Sequence, residues 1–259
     1  MNSSPEEITE SVDAFHRGRF VLVQPKGVGH RSGIDAMILA AAVPADFNGA
    51  VADFGAGAGA AGMAVAARCP NARVVLVEND PEMAEFARRT VAHEANARLA
   101  GRLSIIEADV SLTGKLRVNS GLGDRSFDFV IMNPPFNSPR DRATPDTLKA
   151  AAHVKTEGLF EAWLRTAAAV LAPGGGVAII ARPGSLKEIL ESAEGRFGAL
   201  KVLPIHPRPA MAAIRVVVIG IKGSRAGTGI EAGLVLHGEA GNGFSGLAEK
   251  VVNGEMGIG

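Results

Sequence analysis

The residues with the clearest chemistry are Asn133-Pro134-Pro135-Phe136, which directly follow an apolar run at 127–132. An exocyclic amino group on a base, or the nitrogen of a carboxamide, is a poor nucleophile because its lone pair is delocalised. A catalyst has to draw on both N–H bonds at once. The Asn133 side-chain oxygen can accept one N–H and the Pro134 carbonyl the other. Two prolines restrict the backbone, so such acceptors are placed before a substrate arrives. Phe136 offers a ring face on which a planar base or amide can stack.

A second constellation lies upstream. The apolar run at 50–54 leads into Gly55-Ala56-Gly57-Ala58-Gly59 and then a helical stretch. Glycines let a backbone approach a ligand closely and take positive φ. In doubly wound sheets the first strand–loop–helix unit is the usual ligand cradle. Gly57, Gly59 and Gly62 also satisfy G-x-G-x-x-G, so this loop alone could equally serve a dinucleotide. The acids around it point elsewhere. Asp53, just before the loop, would repel a pyrophosphate but attract the ammonium and sulfonium of S-adenosylmethionine. Glu78 ends the next strand, where a carboxylate can accept both ribose hydroxyls. Asp109 follows the third strand and could accept the adenine amino group, with the Val110 N–H facing a ring nitrogen.

These residues need a scaffold that brings strand ends together. Strands are expected at 50–54, 73–77, 103–107, 127–132, 176–181, 201–206 and 215–222. Most are continuous apolar runs, as suits strands covered on both faces. Helices are expected between them at 60–68, 81–96 with Asp80 as N-cap, 157–171 and 185–193, the last opened by a Ser185–Glu188 capping box. The stretch between 206 and 215 has no helical pattern, so its flanking strands should pair antiparallel. The fold class is therefore α/β, a doubly wound, seven-stranded, mostly parallel sheet with an antiparallel last strand. Ahead of it, Ser4-Pro5 with Ile8, Val12 and Phe15 reads as a helix, followed by a short strand at 20–23 and a helix at 34–43. Three parts result: an N-terminal cap at 1–45, the main domain at 46–225 and a Gly-rich extension at 226–259 with a weak strand at 234–237.

Composition narrows the partners. Lys plus Arg and Asp plus Glu are 27 each, so a nucleic-acid surface has to be local. Arg140, Arg142, Lys149, His153 and Lys155 follow the tetrapeptide and could grip phosphates, but acids are interspersed and a solvated face is the plainer reading. Arg208 and Arg215 could touch an RNA backbone or serve structure, and His206 reads as locally packed. Trp163 falls on helical spacing with Leu159, Phe160, Leu164 and Ala167 and reads as core. Cys69 is the only cysteine, no signal-peptide pattern opens the chain, and no apolar run reaches membrane-spanning length; a cytoplasmic protein is expected. No cluster has metal-ligand spacing.

The motif Asp53-x-Gly55-x-Gly57-x-Gly59, with Glu78, Asp109 and Asn133-Pro134-Pro135-Phe136, resembles the class I amino-methyltransferases that carry N-P-P-[YF]. Within that group the chain is similar to bacterial tRNA adenine-N6 methyltransferases, through Gln24-Pro25-Lys26-Gly27, His30-Arg31-Ser32-Gly33-Ile34-Asp35 and Ile205-His206-Pro207-Arg208-Pro209. The resemblance implies a Rossmann-like fold, S-adenosylmethionine as cofactor and tRNA as substrate. It also implies cofactor contacts from Ser32, Gly33 and Asp35 and a catalytic role for Asn133, Pro134 and Phe136. The same tetrapeptide serves glutamine-amide methylation of proteins, so a protein substrate is the alternative. An NAD-type oxidoreductase would leave the tetrapeptide without a role. A non-catalytic nucleic-acid-binding module would leave an intact motif idle.

Overall fold

The structure is a computed structural model, and it describes residues 10–26, 33–135 and 158–259. A hairpin of β1 (Glu10–Phe15) and β2 (Phe20–Pro25) comes first, then α1 (Ile34–Ala40). The alternation follows: β3 (Ala50–Phe54), α2 (Ala60–Arg68), β4 (Arg73–Glu78), α3 (Pro81–Ala92), α4 (Ala97–Ala100), β5 (Leu103–Glu107), α5 (Gly114–Asn119) and β6 (Phe127–Met132). Next come α6 (Leu159–Val170), β7 (Leu171–Ala181), α7 (Leu186–Ala193), β8 (Phe197–His206) and β9 (Arg215–Lys222). The short β10 (Gly229–Ile230) and β11 (Leu234–Val235) and the helix α8 (Gly246–Val252) close the chain.

The main sheet runs β10-β8-β9-β7-β6-β3-β4-β5, with β11 also on β8. β9 is antiparallel to both β7 and β8, and the other pairings are parallel. The seven expected strands and the late antiparallel pair are all present. Strand residues alternate between two cores. Val51, Ile131 and Ile180 join the cluster under α1 and α2; Ala52, Val130 and Ile179 join the cluster under α6 and α7. Burial on both faces is why the strands read as unbroken apolar runs.

Several local expectations are corrected. The helix expected through Val12 and Phe15 is strand β1, because residues 10–15 find a partner in β2 and Phe15 stacks on Phe20 at 5.5 Å. Val12 is half exposed, so the apparent helical stripe was no core stripe. Ser185 makes no side-chain cap bond: it ends a 3-10 turn in the αR region instead of the extended conformation a cap requires. Asp80 does cap α3, accepting from Glu82 and Met83 N–H. That helix stops at Ala92, and 94–96 form a 3-10 turn. β7 starts at Leu171, earlier than expected, with a register shift against β6 between Phe127 and Phe129. Helices α5 and α8 were not anticipated, being only 6 and 7 residues long with little periodicity. The C-terminal part nonetheless contributes Leu234, Leu236, Ala248 and Val251 to the core.

Candidate active site

The sheet register sets the site. Phe54 pairs with Val77 on one side and Met132 on the other, and Glu78 pairs with Glu107. Gly55, Glu78, Asp109 and Asn133 therefore lie along one carboxyl rim, at the ends of four neighbouring strands. At about 4.8 Å per strand the row is roughly 15 Å wide. This is the crevice in which open α/β sheets bind ligands.

The glycine loop is held from both ends. Gly55 and Ala56 N–H both donate to the Val77 carbonyl, at 2.9 and 3.0 Å. Gly55, Gly57 and Gly59 have φ of 67°, 56° and 95°, a left-handed conformation that a side chain disfavours. At Gly55 a Cβ would also stand 2.6 Å from the Trp163 ring. At Gly57 a Cβ would meet only Met83, at 3.6 Å, so the backbone there is open to a ligand.

Glu78 is 7% exposed. Its carboxylate accepts Gly57 N–H at 2.7 Å, and Asn79 and Asp80 N–H at 2.9 Å each. A carboxylate has about four lone-pair sites, so capacity remains for a hydroxyl. Asp109 is exposed, with one oxygen accepting Ser111 N–H at 2.7 Å; the buried Val110 follows it.

Asp53 is the penultimate residue of β3, just before the loop. It is 1% exposed and accepts Gly62 N–H at 2.8 Å, bracing the first turn of α2. Burial, followed by the Glu78 charge, pushes its pKa up to about 7, against the opposing Gly62 hydrogen bond. Any effect of Asp53 on a cationic ligand is through space, not by open contact.

Asn133 follows β6 directly. Its side-chain oxygen is buried and has no hydrogen-bond partner among the described residues. A buried acceptor without a donor costs roughly 1–3 kcal/mol, and function is a common reason to retain one. Pro134 is buried and Pro135 exposed. Phe136, Ser32 and the basic residues Arg140, Arg142, Lys149, His153 and Lys155 lie outside the described residues.

Other candidate residues have partners within the protein. Gly33 caps α1 without a side chain, and Asp35 in its first turn pairs with Arg215 at 2.8 Å. Arg208 donates to the Gly238 and Gly241 carbonyls, and His206 bonds the Met211 carbonyl at 2.7 Å. Cys69 is buried, with its thiol near the Pro44 carbonyl. Among the described residues no acidic, histidine or cysteine cluster could hold a metal ion, and no helix is long and apolar enough to cross a membrane. Trp163 and Met83 flank the glycine loop and were not singled out for it from sequence. Helical spacing marks Trp163 as a core residue, and only the packing shows that it touches the loop.

Fold and rim together define a class I S-adenosylmethionine-dependent methyltransferase. The methyltransferase small domain model matches residues 20–203, and the chain belongs to that family. It is 33% identical over 181 residues to a Porphyromonas gingivalis protein named tRNA1(Val) (adenine(37)-N6)-methyltransferase, covering 68% of each chain. A Pedobacter heparinus protein of the same name is 27% identical and is matched over 83% of its length, 80% of this chain. A crystal structure of a predicted O-methyltransferase from Agrobacterium tumefaciens is 43% identical with a TM-score of 0.76, covering 86% of this chain and 98% of that one.

Proposed function

We propose that this enzyme methylates the N6 amino group of an adenine in tRNA, in the cytoplasm. The observation that carries this reading is the buried Asn133 oxygen, without a partner among the described residues, at the strand end next to the glycine loop. It is an acceptor waiting for an N–H. An amide oxygen can polarise an amino group but is far too weak a base to deprotonate a hydroxyl. That favours nitrogen over oxygen as the methyl acceptor, in line with the names of the curated relatives.

The rim residues suit S-adenosylmethionine. The Gly55–Gly59 loop would take the methionine part, Glu78 the ribose hydroxyls, and Asp109 with Val110 the adenine. When bound, the cofactor supplies an electrophilic methyl on a cationic sulfur. The protein's share is then to hold the target nitrogen in line with it: Asn133 oxygen and the Pro134 carbonyl accept the two N–H groups, and Phe136 supports the ring. Two acceptors on one nitrogen raise its electron density and favour a pyramidal geometry, so that the lone pair leaves conjugation and faces the methyl. The proton is lost after transfer, when the nitrogen is strongly acidic, so no general base is needed at the site.

Glutamine-amide methylation is the second reading, since the same acceptor pair serves an amide. Incubation with labelled S-adenosylmethionine and RNA from a strain lacking the protein, followed by nucleoside analysis, tests both. Label on N6-methyladenosine is expected. Label that survives ribonuclease and migrates with protein overturns the tRNA reading.

A further inference from the structure

On the opposite edge of the sheet, at the amino ends of the strands, a cavity of about 310 Å³ is lined by Arg19, Arg98 and Arg102, with Ala66, Pro70 and Leu99. Among the described residues no carboxylate lines it. Arg102 donates to the Ala66, Cys69 and Ala72 carbonyls and so closes the end of α2, and Arg98 donates to the Arg19 carbonyl. These carbonyls orient the guanidinium groups without neutralising them. Among the described residues none of the three makes an ion pair. Elsewhere Arg17, Arg88, Arg89, Arg117, Arg196 and Arg215 each face a carboxylate. In a chain with equal numbers of acidic and basic residues, this local surplus is not a general basicity.

Two buried neighbours lie in the same positive field. His16 is 3% exposed, and neither ring nitrogen is bonded among the described residues. Burial, then the charges of Arg19 and Arg68, lower its pKa to about 4. Arg68 is 8% exposed and has carbonyl and thiol partners but, among the described residues, no carboxylate. Positive charge gathers here, and the nearest acids act from outside the cavity: Asp46 through space on Cys69, and Glu249 and Glu255 on Arg17.

We propose that this cavity holds a backbone phosphate of the RNA substrate, remote from the base being methylated. This rests on the RNA reading given above. Guanidinium forks match phosphate oxygens geometrically. Arg19 and Arg98 are exposed, which suits a chain passing over the surface better than an enclosed small ion. Strands of five to six residues separate the two edges by roughly 17–20 Å. The contact therefore belongs to a part of the RNA several nucleotides from the target, within reach of a folded tRNA but not of a short oligonucleotide.

The test is an Arg19→Ala/Arg98→Ala double variant, with Arg102 left in place because it closes α2. Unchanged melting temperature and cofactor affinity establish that it is folded. Binding of full-length tRNA is then measured against salt concentration. The slope of log K on log salt should fall by about 1, and affinity at low salt by at least about tenfold. Methyl transfer to a five-nucleotide RNA around the target should stay within about twofold of wild type. The Arg19→Lys/Arg98→Lys variant should recover most of the slope. An unchanged slope in the alanine variant, with RNA still methylated, overturns the site and leaves the reaction standing. If wild type methylates no RNA, the reading it rests on is wrong instead. Inorganic pyrophosphate that stabilises wild type but not the alanine variant, without any effect on tRNA binding, assigns the cavity to a free phosphate and also overturns the proposal.

Discussion

The Asp53 carboxyl accepts the Gly62 N–H at 2.8 Å while almost wholly buried beneath the glycine loop. Its pKa stands at about 7 in the fold, against about 3.9 unfolded. The folded protein thus binds a proton that the unfolded chain has released, and this contribution to stability is lost as pH rises from about 4 through 7. His16 acts oppositely: at about 4 in the fold and about 6.5 unfolded, its contribution is lost as pH falls below about 6.5. Between pH 4 and 6.5 the two nearly cancel. Asp53→Asn should uncover the histidine. Its stability should rise with pH across that window by up to about 1.4 kcal/mol per unit relative to wild type. Urea unfolding at several pH values measures this; parallel curves for both proteins would refute the raised pKa.

The same carboxyl predicts a cofactor effect. A cationic ligand near the loop favours the ionised acid, so S-adenosylmethionine affinity should rise as pH increases from about 6 to 8. Calorimetry with Asp53→Asn should show that rise flattened. An equal rise in both proteins would assign it to another group.

Asn133→Ala removes an acceptor from the rim and leaves the glycine loop in place. Turnover should fall by about 10²-fold or more, with cofactor Kd changed by less than about threefold. Single-turnover kinetics and cofactor titration separate the two. Loss of cofactor binding together with turnover would mean that Asn133 shapes the cofactor pocket.

Gly55→Ala forces a side chain into a left-handed conformation and against Trp163. The backbone cost alone is about 1–2 kcal/mol. Cofactor affinity should fall at least about tenfold and Tm should drop. Adding Trp163→Leu should recover part of the stability lost to overlap but not the part lost to φ, which thermal denaturation of the double variant can show.

The Asp35–Arg215 pair joins α1 to β9 with both side chains mostly covered. Asp35→Ala should cost about 1–3 kcal/mol, and a double-mutant cycle with Arg215→Ala should return part of that as coupling. A drop in cofactor affinity in Asp35→Ala but not in Arg215→Ala would instead show that Asp35 reaches the cofactor.

Much of this protein is written locally. Apolar runs broken by Gly, Pro and Asp set the strands of the sheet, since burial on both faces leaves no polar alternation to obscure them. The order Gly55–Gly59, Glu78, Asp109, Asn133 follows from the same alternation, because each ends a strand and parallel strands end on one rim. Tertiary structure decided what has no local signature. The stretch at 10–15 satisfies helical and strand spacing alike, and only the presence of β2 selected the strand. Asp53 and Glu78 are both acids near a glycine loop. Packing buried the first against Gly62 and set the second on Gly57, because a side chain's depth depends on neighbours far away in sequence. Arg215 found its carboxylate 180 residues away, while Arg19, Arg98 and Arg102 were gathered with none. Charge pairing is a property of the assembled surface, and linear order does not encode it.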